Sequence, residues 1–126
     1  MDSRKTKSTT LNTKIYRGVT ALALIGFLIM LFSISTAFIV GDFSGEGSVI
    51  LSLAWGKVSL IDVYIGFLIF SGWIIYRERS VGRSLIWVIL MMIFGNMTAC
   101  FYILIALRQS SGDWTRFWLG QRAKTV

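Results

Sequence analysis

Three long apolar runs separated by short polar segments lay out this chain. Val19 to Val40, Val58 to Tyr76 and Ser84 to Leu107 hold 22, 19 and 24 residues, and Asp62 is the only formal charge in any of them. At a rise of about 1.5 Å per residue, each run is long enough to cross a hydrocarbon core of about 30 Å. The pattern therefore predicts an all-α integral membrane protein with three transmembrane helices, 19–40, 58–76 and 84–107. A polar N-tail (1–18) precedes this membrane domain (19–107), and a second tail (108–126) follows it.

The segments between the runs complete the expected layout. Met1 to Arg17 is rich in Ser and Thr and holds five bases against the single acid Asp2. Such a composition cannot bury apolar surface, so it predicts a disordered tail, kept in the cytoplasm by its charge. A cleaved signal peptide is the competing reading of the first run, which is longer than the usual hydrophobic region of such a leader. Ser33, Ser35, Thr36 and Ala37 would let another helix approach closely. Gly41 to Lys57 reads as an outward-facing loop with two acids, Asp42 and Glu46. Within it, the short apolar stretch Val49 to Trp55 would lie in the membrane interface. Arg77 to Arg83 is a short basic turn that makes the second and third spans an antiparallel hairpin, and Ser84 is placed to cap the third helix.

Composition narrows the chemistry. The chain has 55% hydrophobic residues, one Cys, no His and no Pro, and its mean hydropathy is +0.69. Without His, and with a single Cys, one chain can build neither a tetrahedral zinc site nor a His-based general base. No catalytic residue, metal site or cofactor is expected, and a non-enzymatic protein is. The formal net charge of +7 comes from bases that flank the apolar runs. That placement fits anionic lipid headgroups, and no nucleic acid is expected as a partner.

A few polar positions inside the runs are the candidate ligand or helix contacts: Asp62, Tyr64, Asn96, Thr98 and Tyr102. Ser59 and Asp62 have the spacing of a capping box, so Asp62 reads first as a cap at a helix start and second as a membrane-embedded acid. Asn96 falls midway along the third run, where an amide needs a partner, and Gly95 and Ala99 offer a small-residue seam beside it. Gly66 shares the Asp62 face. Tyr102 is expected at the depth of Asp62, close enough for a hydrogen bond. Trp55, Trp73, Trp87, Trp114 and Trp118 read as interfacial anchors. In the C-terminal tail Trp114, Phe117 and Trp118 recur at helical spacing behind Asp113, a pattern that predicts an interfacial amphipathic helix. Three spans carry a charge conflict, however. They put eight bases inside and five outside, because the four bases of the C-terminal tail cross over.

The stretch from Ser59 through Arg108 combines LIDVYIGFLIFSGWIIYRERS, a restart at Arg83 to Trp87, and FGNMTACFYILIALRQ. Its succession of D-x-Y, W-x-x-Y-[RK]-E, F-G-[NS] and C-x-Y resembles a family of small uncharacterised multi-pass membrane proteins of bacteria and plants. The resemblance implies a cell-membrane location and a paired-helix core, and implies no reaction. Two functions are expected from the residues. The first is an accessory or assembly subunit of a larger membrane complex or homo-oligomer. The alternative is a site for a lipid-soluble small molecule or proton in the outer half of the bundle.

Overall fold

In the computed structural model the structure describes residues 2–124, with side chains for residues 12–124. Among the described residues every element is helical. Helix α1 (Asp2–Val40) runs through the segment expected to be a disordered tail. The reason is cooperativity: the apolar run supplies the nucleus, and each further residue adds a hydrogen bond at small cost in a chain without proline. The tail bases Arg4, Lys5 and Lys7 lie outside the residues whose side chains are described.

The expected 41–57 loop is also largely helical. Asp42 caps α2 (Phe43–Ser52), its Oδ1 accepting from the Ser44 N–H at 3.2 Å. One extended residue, Leu53, separates α2 from α3 (Ala54–Arg77). Helix α3 therefore starts well before Ser59. Asp62 is its ninth residue, about 12 Å along the axis, and the capping reading of Asp62 does not hold.

The largest correction concerns the third span. Residues 84–107 do not form one helix. Helix α4 (Val81–Phe94) ends and α5 (Asn96–Ser110) begins on either side of Gly95, whose φ of +54° and ψ of −127° lie outside the range open to L side chains. The chain reverses there. The Trp87 ring lies 5.0 Å from that of Tyr102, and the Thr98 hydroxyl donates to the Leu90 carbonyl at 2.9 Å, which pins the two arms together. Each arm is about 21 Å long. Among the described residues, only α1, over Asn12–Val40, and α3 are long and apolar enough to cross a membrane by length and composition. Ser84 is likewise inside α4, its hydroxyl donating to the Ser80 carbonyl.

The hairpin stands between the two long helices. Helix α5 runs antiparallel to α1: Tyr16 Oη donates to the Leu107 carbonyl at 3.1 Å, and further along a Cβ on Gly26 would meet Cys100 Sγ at 2.9 Å. The close seam of α1 is therefore at Ala23 and Gly26. Ser35 and Thr36 instead bond their own helix, and Ser33 and Ala37 are exposed. Helix α4 packs on α3. One apolar core joins Ile74, Met91 and Tyr102, and a second joins Ala106, Leu107 and Phe117. The short helix α6 (Trp114–Leu119) is capped by Asp113, which accepts from the Thr115 N–H at 2.9 Å. Phe117 is buried in the second core, so this segment docks on the bundle instead of forming a free amphipathic helix. A 3-10 turn, Gly120–Lys124, follows.

Because the hairpin doubles back, the ends of the molecule differ sharply in charge. The part of α1 around Tyr16, the α3–α4 turn, the end of α5 and the C-terminal segment all meet at one end. Every described Lys and Arg except Lys57 lies there, whereas Asp42 and Glu46 lie at the other. The charge conflict of the three-span layout disappears with the third span.

Candidate functional site

At the basic end, Arg77 closes α3 and is 3% exposed. Burying a guanidinium demands partners for its fork of donors, and three residues on α5 and α6 supply them. Nε donates to the Phe117 carbonyl at 2.9 Å, Nη2 to Gln109 Oε1 at 3.3 Å, and Nη1 to Tyr102 Oη at 3.2 Å. Tyr102 in turn donates to Glu78 Oε1 at 3.0 Å, and Glu78 faces both Arg77 and Arg83, at 3.5 and 3.8 Å. Gly120, at φ +57°, lets the tail close over Arg77; a Cβ there would sit 2.6 Å from Arg77 Cγ. Edge-to-face rings of Phe70, Trp73 and Trp87 surround Tyr102. The network joins α3, α4, α5 and α6 and leaves its buried donors satisfied, which gives it the character of a lock.

Sequence reasoning missed that lock. Tyr102 lies here and not beside Asp62, because the reversal at Gly95 carries α5 back towards Arg77. Trp73 and Trp87 belong to the same cluster, and Trp73 Nε1 donates to the Trp118 carbonyl at 3.2 Å. Trp114 and Trp118 pack on Phe117, while Trp55 is exposed at the start of α3. A signal was nevertheless present: a tyrosine deep in an apolar run needs a polar partner, and Arg77–Glu78 was the nearest charged pair at a helix end.

The second polar place is the tip of the hairpin. There a cavity of about 260 Å³ is bounded by Asp62, Gly66 and Phe67 from α3, Met91 from α4, and Asn96 and Ala99 from α5. Asp62 and Asn96 are both exposed, and neither side chain hydrogen-bonds within the described residues. Gly95 forms the turn itself, pressed against α3 so closely that a Cβ would meet the Phe67 ring at 2.5 Å. It is therefore not part of a seam along one helix with Ala99. Gly66 borders the cavity with open space above its Cα. Tyr64 points elsewhere, its ring 5.7 Å from that of Phe67, and Thr98 is buried in its bond to Leu90. The structure thus brings together Asp62, Gly66, Asn96 and Ala99, and separates Tyr64, Thr98 and Tyr102 from them. A carboxylate and an amide can accept and donate hydrogen bonds to a visiting polar group. No cluster of three metal-ligating side chains occurs among the described residues.

Two helices of membrane-crossing length, holding between them a half-length hairpin tied by a buried arginine, define an all-helical bundle with a polar opening at the hairpin tip. The chain matches the family model DUF1475, described as a protein of unknown function, over residues 7–115, and it belongs to that family. The match takes in most of α1, which lies outside the stretch that carries the resemblance. No curated protein and no solved structure matches it.

Proposed function

We propose that this is a multi-pass integral membrane protein with its N-terminus and basic end in the cytoplasm, and that it acts as a non-enzymatic assembly subunit. Its open outer half receives a helix from another membrane chain or from a second copy. One observation carries this reading: the hairpin stops halfway. Phe67, against which Gly95 packs, is about 15 Å along α3 from Arg77, half of a hydrocarbon core of about 30 Å. Beyond it α1 and α3 continue with their apolar faces exposed, including Phe32, Phe38, Ile61 and Ile65. Asp62 and Asn96 face the opening. Polar groups at such depth are costly against lipid and belong against protein or water, and a partner helix would supply both apolar cover and hydrogen bonds.

The charge asymmetry supports the orientation, since bases concentrate on the cytoplasmic side. Labelling with an impermeant maleimide tests it. With Cys100 replaced by Ala, single Ser44→Cys, Ser80→Cys and Ser111→Cys variants are treated in intact cells. Only Ser44→Cys is expected to react. Reaction at Ser111 together with Ser44 would restore three full spans, and reaction at Ser80 but not Ser44 would invert the molecule. Size in mild detergent tests the assembly role: a species larger than the 14.2 kDa chain, with its companions identified by mass spectrometry, is expected.

A second reading rests on the tip cavity, whose carboxylate and amide suit a lipid-soluble small molecule or a proton. A clean monomer that co-purifies with one stoichiometric small molecule would favour it over assembly.

A further inference from the structure

We infer that the groove between the end of α3 and the start of α4 is a binding site for one anionic phospholipid, with its phosphate held by Arg79 and Arg122 and an acyl chain lying along Ile75, Leu85 and Val88. The inference rests on the membrane placement proposed above. The groove holds about 740 Å³, far more than a phosphate needs, and its floor is aliphatic. Both bases line it at the basic end, where the apolar stretches of the flanking helices give way to polar chain. A cation above an aliphatic cleft at that level matches the two halves of a lipid, and basic pockets between helices at the cytoplasmic face recognise anionic headgroups.

Three details make this end of the groove cationic and ordered. Glu78 borders the groove, but its carboxylate is only 10% exposed and is already engaged by Arg77, Tyr102 and Arg83. Arg122 does not wander: its Nε donates to the Tyr76 carbonyl at 2.9 Å, and its guanidinium carbon lies 4.8 Å from the centre of the Tyr76 ring. Arg79 is exposed and forms no ion pair among the described residues. Zwitterionic lipid would bring a cationic group to these bases, so the site discriminates in favour of net negative headgroups.

The test uses the full chain in nanodiscs of phosphatidylcholine with or without phosphatidylglycerol, followed by native mass spectrometry of the released protein. Wild type should retain one phosphatidylglycerol and no phosphatidylcholine. Arg79→Gln with Arg122→Gln should weaken retention about thirtyfold, as expected for two bases each acting on one headgroup. Leu85→Trp, which fills the groove from α4 without touching the tail, should also lose the lipid. Arg116→Gln with Lys124→Gln, at the same end but outside the groove, should behave as wild type. Equal loss in that control would reduce the effect to general surface charge and overturn the site. Retention in Leu85→Trp, or equally tight binding of glycerol phosphate, would overturn it as well. Release of the protein from membranes by alkaline carbonate would instead remove the membrane placement, a result distinct from a membrane-held chain that binds no lipid.

Discussion

The two ends of this molecule handle polar groups in opposite ways. At the basic end a full charge is buried, and each of its three nitrogens has a partner: Arg77 is answered by Phe117, Gln109, Tyr102 and Glu78. At the hairpin tip two smaller polar groups, Asp62 and Asn96, are exposed beside a cavity with no hydrogen bond among the described residues. A satisfied network holds elements together, whereas an unanswered pair at an opening waits for something else. Under the proposed function the contrast gives stability to one end and recognition to the other, and each assignment can be tested separately.

The largest effect is expected at Arg77. Arg77→Ala would leave the Phe117 carbonyl and Gln109 without their donor and take the nearest charge from the largely buried Glu78 carboxylate, at a cost of about 3 to 5 kcal/mol. Thermal unfolding in detergent should show a severe loss. Arg77→Lys should recover only part of it, because a single ammonium cannot reach three directions at once. A melting temperature for Arg77→Ala equal to wild type would dissolve the comparison, since the basic end would then not be the lock.

Gly95→Ala comes next. The backbone at φ +54° is strained for any side chain, and the new methyl would strike the Phe67 ring; together these should cost about 1 to 3 kcal/mol. Adding Phe67→Ala should relieve the clash and leave the backbone part. Full rescue by Phe67→Ala would mean that the turn does not need positive φ, and with it the hairpin would be in doubt.

Much of this was legible in the sequence, and what was not has identifiable causes. The apolar runs of α1 and α3 announce themselves because composition over some twenty residues is a strong signal. The break at Gly95 did not, because a lone glycine in an apolar run is tolerated in a helix, and hydropathy is blind to direction. That one residue moved Tyr102 from the side of Asp62 to the side of Arg77 and put the tail at the basic end. The uneven base count of a three-span layout was the available hint. Helix α3 starting at Ala54, which displaced Asp62 from its capping position, was hidden by Gly56 and Lys57, which read as loop. Gathering Asp62, Gly66, Asn96 and Ala99 at one cavity needed only the pairing of neighbouring elements, and these the sequence indicated.

A smaller effect, of opposite sign, is expected at Ser71. Its hydroxyl is buried in α3 and has no hydrogen-bond partner among the described residues. Removing an unanswered buried polar atom avoids its desolvation cost, so Ser71→Ala should stabilise by about 1 kcal/mol. Melting curves of the pure protein would show it. A loss of stability would mean that the Ser71 hydroxyl has a hydrogen-bond partner in the folded protein.

The smallest effect on stability belongs to Asp62, and it is the sharpest test of what the hairpin tip is for. Asp62 caps nothing, lies on an exposed face and bonds to nothing among the described residues, so Asp62→Asn should shift the melting temperature by no more than an ordinary surface change, within about 0.5 kcal/mol. Association should respond differently. If a partner helix docks over the tip, the amide keeps the shape but loses the charge, and the oligomer expected in mild detergent should weaken while expression and insertion stay normal. Asn96→Leu should do the same by deleting the second polar group, and Asn96→Ser should do so less, because it keeps a hydroxyl. Loss of melting temperature in Asp62→Asn on the scale of Gly95→Ala would make the tip a structural element like the basic end, and the division of labour between the two ends would fail.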